Sequence, residues 1–153
     1  MCAISQGQVN FSYDNVFQSV RPKKIVIGFV NSRAVAGSYS LSPWNFAGYD
    51  LNQISVSVDG IPVHGNVLKM NFGSNTGADT VSALLWLLKA SGKWMNDEGN
   101  AIERDDIAGG FALYAFDLEP TFEEGGYISL IKQGNVRIDA QFNSGLPHPV
   151  TCV

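Results

Sequence analysis

Hydrophobic and polar residues alternate along several short stretches of the chain, and this period of two predicts half-buried β-strands. In the segment QISVSVDG (53–60), Ile54, Val56 and Val58 alternate with polar residues, and the final Asp-Gly pair is typical of a tight hairpin turn. Further strands are predicted in the segments QGQVNFS (6–12), KKIVIGFV (23–30), NVLKMNF (66–72), FALYAFDL (111–118), YISLIKQ (127–133) and NVRIDAQF (135–142).

One longer segment, TGADTVSALLWLLKASG (76–92), follows the period of an α-helix instead. Thr76 and Asp79 resemble a capping box, and Gly92 stands where helices commonly end. Trp86 and Leu87 make this helix apolar nearly all round, so it either lies within the domain or is covered by another subunit. The segment ERDDI (103–107) predicts one more helical turn.

Many short strands, glycine-rich turns and one long helix predict an all-β fold. We expect a jelly-roll β-sandwich with one helical insertion at about residues 79–91. Its 153 residues have the length of one domain and show no linker-like shift in composition, so residues 1–153 are expected to form a single domain. Gly134-Asn135 is compatible with a two-residue turn and with a bulge inside one long strand.

Charge and hydropathy exclude several classes of partner. The net charge is −4, and no basic cluster is larger than Arg21, Lys23 and Lys24, so we expect no nucleic-acid partner. The longest apolar run, ALLWLLKA (83–90), is far shorter than the ~20 residues of a membrane span. The N-terminal segment lacks the pattern of a signal peptide, so an intracellular location without a membrane anchor is expected.

Candidate chemistry is sparse, and no catalytic, cofactor-binding or metal-binding residue is predicted. His64 and His148 each stand alone beside a Gly or Pro turn, which does not provide the ligands of a metal centre. The acidic run has the wrong offsets for a calcium loop and is expected to be a structural turn in a solvated loop. Its members are Asp97, Glu98, Glu103, Asp105 and Asp106.

The two cysteines, Cys2 and Cys152, stand at opposite ends of the chain. Their spacing matches neither a metal site nor a disulfide-dense scaffold, so free thiols are expected, while a bridge between the termini or between two chains stays open.

Six ordered blocks of the sequence resemble the hexon-type major capsid proteins of Polinton/Maverick elements and adintovirus-like viruses. The blocks are PKKIVIG (22–28), PWNF (43–46), ISVSVDG (54–60), DEGN (97–100), GFALYAFDL (110–118) and IKQGNVR (131–137). The resemblance implies a double jelly roll, three copies of which form a pseudo-hexagonal capsomer, and a location in a virion or virus-like particle. This chain matches only the second of the two jelly rolls. The resemblance implies that the acidic run, residues 97–106, is an ordered connector whose carboxylates cap turns and the short ERDDI helix.

The resemblance also implies an incomplete last strand that lies between the first and third strands of one sheet. Val150, Thr151, Cys152 and Val153 would form only its beginning, which predicts an open sheet edge that invites strand addition. With QGQVNFS as the opening strand, Cys152 would lie near Ser12 and ~30 Å from Cys2. An intrachain disulfide is therefore not expected.

The predicted function is structural: a capsid-protein-derived single jelly roll that self-associates into a trimer or a larger homo-oligomer. The alternative is a host-adapted binding module whose loop aromatics Tyr39, Trp44 and Tyr49 recognise a carbohydrate or protein ligand. An enzyme is disfavoured, because no acid, base and nucleophile converge. Aromatic residues dominate many interfaces but also fill cores, so the candidate subunit contacts are proposed collectively. They are Trp44, Phe46, Tyr49, Trp86, Leu87 and Trp94.

Overall fold

A computed structural model describes residues 1–65, 67–72, 80–93, 101–118 and 132–153, and these residues form an all-β sandwich. The strands are β1 (Cys2–Ile4), β2 (Asn10–Tyr13), β3 (Val20–Arg21), β4 (Lys24–Asn31), β5 (Leu51–Val58), β6 (Ile61–Pro62), β7 (Leu68–Lys69), β8 (Leu113–Asp117), β9 (Lys132–Gln133), β10 (Val136–Phe142) and β11 (Val150–Cys152). The helices are α1 (Ser32–Val35), α2 (Val81–Ala90) and α3 (Arg104–Gly109).

Two antiparallel sheets face each other. One has the order β1-β11-β4-β8, and the other has the order β2-β10-β5-β6 with β7 also paired to β5. The first and last strands are therefore neighbours in one sheet, and the chain crosses between the two sheets several times, as in a jelly roll. A small separate ribbon joins β3 to β9.

The predicted hairpin at 53–60 is confirmed, because β5 pairs with β6 through Ser57–Pro62 and Val58–Ile61. Asp59 and Gly60 both have positive φ, 51° and 82°, which suits the right-handed twist of the two strands. The Asp59 carboxylate also accepts a hydrogen bond of 2.8 Å from the backbone N–H of Asn135. The turn is thus tied to the start of β10.

Alternating side chains from both sheets build the core. Ile25, Ile27 and Phe29 of β4 point inward and pack against residues of β5 and β10 in one buried cluster. The Phe29 ring lies 5.5 Å from the Phe142 ring in an edge-on arrangement and 6.1 Å from the Tyr114 ring. This aromatic group joins the two sheets at the centre of the sandwich.

The predicted helical insertion is confirmed as α2, which packs along β8 and buries Ala83, Leu87 and Ala90. The Nζ of Lys24 donates a 2.7 Å hydrogen bond to the backbone oxygen of Ala90, which places a cation at the C-terminal end of the helix. The predicted capping residues Thr76 and Asp79 lie outside the described residues. Among the described residues β8 is the last strand of its sheet, and α2 packs against it.

The turn predicted at ERDDI is also confirmed, as α3. The Asp106 carboxylate accepts a 2.8 Å hydrogen bond from the backbone N–H of Glu103, which is one half of a capping box. This bond confirms the capping role predicted for the second part of the acidic run. Asp97 and Glu98 lie outside the described residues.

Two strand predictions are corrected. The first strand is Cys2–Ile4 and not QGQVNFS (6–12), whose last three residues belong to the second strand, Asn10–Tyr13, in the opposite sheet. Gly134-Asn135 is neither a hairpin turn nor a bulge inside one long strand. It separates β9, which pairs with β3, from β10, which pairs with β2 and β5. Most of the segment YISLIKQ lies outside the described residues.

The open edge predicted at residues 150–153 is wrong for Val150–Cys152. All three residues of β11 pair with β1 on one side and with β4 on the other, and their side chains are buried. The last strand is indeed short, but a central strand of three residues is still held by two neighbours. Among the described residues, no helix is long and apolar enough to cross a membrane.

The hydroxyl of Tyr114 is buried and, within the described part of the chain, has no hydrogen-bond partner. Burial raises the pKa of this side chain. We expect Tyr114→Phe to leave the free energy of unfolding unchanged or to raise it by about 1–2 kcal/mol, since it removes an unpaired buried polar group without changing the ring. Urea denaturation tests this, with the exposed Tyr39→Phe as the control. A loss of more than about 1 kcal/mol contradicts the expectation.

Candidate assembly interface

Among the residues that the structure describes, a gap interrupts the sheet that contains β11. Gly28 and Val153 exchange two backbone hydrogen bonds, of 3.1 and 3.0 Å, at the end of the β4–β11 ladder. Beyond this pair, β4 continues back to Lys24, and within the described ranges no strand pairs with residues 24–27 on this side. Hydrogen bonds alternate in direction along an antiparallel strand, so the N–H and C=O of Val26 point into the gap.

The gap is an apolar groove of about 230 Å³. One wall is the stretch Ile25–Ile27 of β4, and the end of the groove is formed by the terminal residues of β1 and β11. The floor comes from the opposite sheet and from the turn that follows β2. The floor residues are Tyr13, Val16, Phe17 and Ile138.

A second apolar surface lies in the long loop between α1 and β5. Tyr39 is fully exposed and Trp44 is 75% exposed, and Phe111, just before β8, is also exposed. Phe46 fixes this loop to the sheet through a short parallel bridge to Phe111. We call these exposed apolar residues, Tyr39, Leu41, Trp44 and Phe111, the aromatic loop patch.

The six predicted interface residues do not form one surface. Trp44 is exposed, whereas Leu87 is only 7% exposed and packs with Ala90 and Ala115, so it is not available for a subunit contact. Trp86 is half-buried against Phe116. Phe46 and Tyr49 are also half-buried, and Trp94 lies outside the described residues.

Tyr49 packs edge-on against His148, with ring centroids 5.4 Å apart. This contact holds the Tyr49 ring against the domain. Partial burial also raises the pKa of the Tyr49 hydroxyl. Of the three aromatic residues predicted to stack on a sugar, Tyr39 and Trp44 are exposed, whereas Tyr49 is half-buried.

Gly28 positions the aromatic loop patch. A Cβ atom at residue 28 would lie 2.6 Å from Cδ1 of Phe46 and 3.2 Å from a methyl group of Leu113. The ring of Phe46 therefore rests directly on the backbone of β4. Only glycine allows this close approach.

We expect Gly28→Ala to lower the free energy of unfolding by about 1–3 kcal/mol, because the added methyl group displaces the Phe46 ring. The loop 36–50 should then be cleaved more readily by chymotrypsin. Gly109→Ala is the control, since a Cβ there meets no atom within 4 Å and the residue lies in α3. Equal stability and equal cleavage of both variants would show that Phe46 does not depend on Gly28.

The sheet that contains β2 and β10 carries a cluster of polar side chains that bond to one another. Nε of Arg137 donates to both carboxylate oxygens of Asp139 at 3.0 and 2.9 Å, and Ser12 bonds to both residues. Partial burial raises the pKa of Asp139, but the hydrogen bonds from Arg137 and Ser12 outweigh it and bring that pKa below its ordinary value. The cluster favours the folded state above about pH 4, and this contribution is lost as the pH falls through the lowered pKa.

His64 is exposed overall, but its ring contacts the backbone of Asp117 and the ring of Trp86. Its Nε2 accepts a 3.3 Å hydrogen bond from the backbone N–H of Asp117, and its ring lies 4.9 Å from the ring of Trp86. Burial lowers the pKa of His64. In the part of the chain that the structure describes, no group of three or more His, Cys, Asp or Glu side chains could hold a metal ion.

The sequence did not point to the residues that line the groove. Val16 and Phe17 lie in a turn, where no periodic pattern marks them, and Val26 is hidden in a β-branched run. In the structure, residues 150–153 pair with Gly28–Asn31 of β4 and, within the described ranges, leave residues 24–27 unpaired on that side. Only this pairing shows that the lining residues surround one groove.

Comparison with known proteins finds a relative of this chain. It is similar to uncharacterized protein F54H12.2 of Caenorhabditis elegans, with 25% identity over 146 residues, which cover 94% of this chain and 34% of that protein. The chain thus spans about a third of the length of the curated relative that it matches. No protein-family model matches the chain, and no solved structure matches it.

Proposed function

We propose that this protein is a structural assembly protein, a single jelly roll of the capsid-protein type that self-associates. The observation that supports this most directly is the apolar groove beside Ile25–Ile27, where the sheet lacks a strand among the described residues. Unpaired backbone groups next to an apolar floor accept an extended segment of another chain by strand addition.

The groove offers both parts of such a contact. The N–H and C=O of Val26 supply main-chain hydrogen bonds in register with those between Gly28 and Val153. The floor residues Val16 and Ile138 offer apolar contacts to every second side chain of the incoming strand. Hydrogen bonds would thus provide affinity, and the floor would select apolar side chains.

The proposed occupant is an extended segment of a second copy of the chain. Every copy carries both the groove and the aromatic loop patch, on which Trp44 is the most exposed tryptophan of the described residues. Two different adhesive surfaces on one subunit allow a closed ring or a larger shell to form. A trimer or a larger homo-oligomer is the assembly that we propose.

The ordered sequence blocks support membership in the hexon-type capsid proteins of Polinton-like elements. The strand order, with the last strand between β1 and β4, is compatible with that proposal. The matched worm protein is about three times as long as this chain, which leaves room for the tandem double jelly roll of that family. The proposed location is a virion or virus-like particle, or the cell interior if the gene serves its host.

Sedimentation velocity of the purified chain between 1 and 100 μM, followed by electron microscopy of the same samples, tests the proposal. We expect the mass to rise with concentration to a trimer or beyond, with rings or shells visible in the images. A monomer throughout the concentration range contradicts self-assembly of the chain.

A second candidate function is supported by the exposure of Tyr39 and Trp44. Flat aromatic rings on a sandwich loop can stack on sugar rings, so a host-adapted carbohydrate-binding or protein-binding module is the alternative. A glycan array probed with the wild-type chain and with Trp44→Ala distinguishes the two functions. A specific signal that Trp44→Ala abolishes, in a chain that stays monomeric, favours the binding module.

A further inference from the structure

Cys2 and Cys152 face each other across the β1–β11 ladder. The register pairs Cys2 with Cys152, Ala3 with Thr151 and Ile4 with Val150. Both cysteines are free thiols in this structure, with Cys152 in the core and Cys2 packed against it. The expectation that these residues lie ~30 Å apart is therefore wrong, because it rested on Ser12 and not Cys2 as the neighbour of Cys152.

We propose that Cys2 and Cys152 form a reversible intrachain disulfide that fastens the first strand to the last. The hydrogen bonds of Val153 are directed to Gly28 of β4, so the backbone groups of the adjacent Cys152 are directed to Cys2. Residues paired in this way have Cα atoms about 5.5 Å apart, inside the 4.4–6.8 Å range of disulfides, and their side chains lie on the same face. Their Cβ atoms are about 5.5 Å apart, so the three-residue strand β1 has to shift by about 1 Å when the bond forms.

The two thiols differ in access, and this difference sets the order of the reaction. Cys2 is half-buried and lies at the end of the groove, whereas Cys152 is buried, and burial raises the pKa of its thiol to about 11. Cys2 is therefore the thiol that meets an oxidant first. A buried thiol next to it resolves the mixed disulfide.

The reaction with a small disulfide such as oxidised glutathione balances in two exchanges. The Cys2 thiolate attacks one sulfur of the oxidant, forms a mixed disulfide and releases one glutathione thiol. The Cys152 thiol then loses its proton to solvent and attacks the Cys2 sulfur, and a second glutathione thiol leaves. Two protein thiols are oxidised and one glutathione disulfide is reduced to two thiols.

A bond between residues 2 and 152 closes a loop of almost the whole chain. Loops of this length give the largest stabilisation in the chain-entropy model of disulfides. We expect oxidation to raise the Tm by roughly 10 °C. Because both cysteines line the end of the groove, the bond would also fix the end of the groove at which an added strand begins.

The full chain is incubated with oxidised glutathione, quenched with acid and alkylated. The expected result is the loss of both free thiols, a mass lower by two hydrogens, and a cross-linked peptide that contains Cys2 and Cys152. Cys2→Ser and Cys152→Ser are the matched controls. Cys2→Ser should stay reduced, and Cys152→Ser should stop at the glutathione adduct.

Two titratable thiols in the wild-type chain after equilibration would overturn the proposal, as would disulfide-linked dimers without an internal bridge or a persistent adduct on Cys2. The double variant Cys2→Ala, Cys152→Ala should keep the far-UV spectrum of the fold and lose the oxidant-dependent rise in Tm. The thiol count does not depend on oligomeric state, so its outcome is independent of the proposed assembly.

Discussion

Phe29→Ala should lower the free energy of unfolding by about 3–5 kcal/mol, the largest stability loss that we expect of a single substitution in this protein. The Phe29 ring is completely buried. It meets Phe142 of the opposite sheet at 5.5 Å and Tyr114 of the neighbouring strand at 6.1 Å. Its removal leaves a cavity where the two sheets join, and a packed sandwich can close that cavity only in part.

Urea denaturation followed by fluorescence or circular dichroism measures this loss. Tyr39→Ala is the control, because it removes an aromatic ring of similar size from a fully exposed position and should change stability by less than about 0.5 kcal/mol. Similar losses in both variants would contradict a core centred on Phe29.

Phe17→Asp should raise the dissociation constant of the assembly by about tenfold or more, the largest effect on association that we expect. Phe17 lies on the floor of the groove but is 38% exposed, in the turn between β2 and β3. An aspartate in this turn stays solvated in the free chain. It loses that water when an apolar strand covers the groove, and an unpaired buried charge is costly.

Val9→Asp is the matched control. Val9 is also 38% exposed, lies in a loop and does not line the groove, so the same charge enters at a position of equal exposure. Sedimentation velocity of the wild-type chain and both variants at equal concentrations measures the effect. Equal weakening by both substitutions would point to net charge as the cause, and unchanged association of Phe17→Asp would remove the groove from the assembly contact.

Local patterns predicted the long elements correctly. The β-branched run of β4, the alternation and Asp-Gly turn of the β5–β6 hairpin, and the 3.6-residue period of α2 all appear in the structure. These patterns succeed because each reflects which side of an element is buried, and burial of one face requires a fixed period in the sequence.

The short first strand, β1, determined the pairing of both cysteines. β1 has only three residues, Cys2–Ile4, too few to show a period, and the prediction therefore began one strand too late. That shift placed Cys152 near Ser12 in expectation, although the structure pairs it with Cys2. An error of one strand in the predicted topology thus made two directly paired cysteines seem far apart.

The assembly surface was predicted only in part, because residue type shows that a side chain gains from burial but not what covers it. Trp44 is exposed as an interface residue requires, whereas Leu87 is covered by β8 of its own chain. Which aromatic side chains remain free depends on where α2 and the long loop dock. Both positions are set by contacts between residues far apart in sequence, such as Phe46 on Gly28.

By itself, the sequence determined that the chain folds into an antiparallel sandwich with one inserted helix, since hydrophobic alternation and turn residues act over a few neighbouring positions. The tertiary structure alone decided the neighbours of β11, the groove beside Ile25–Ile27 and the meeting of Cys2 with Cys152. The physical reason is that strand order and register are fixed by hydrogen bonds and packing between segments that lie as much as 150 residues apart.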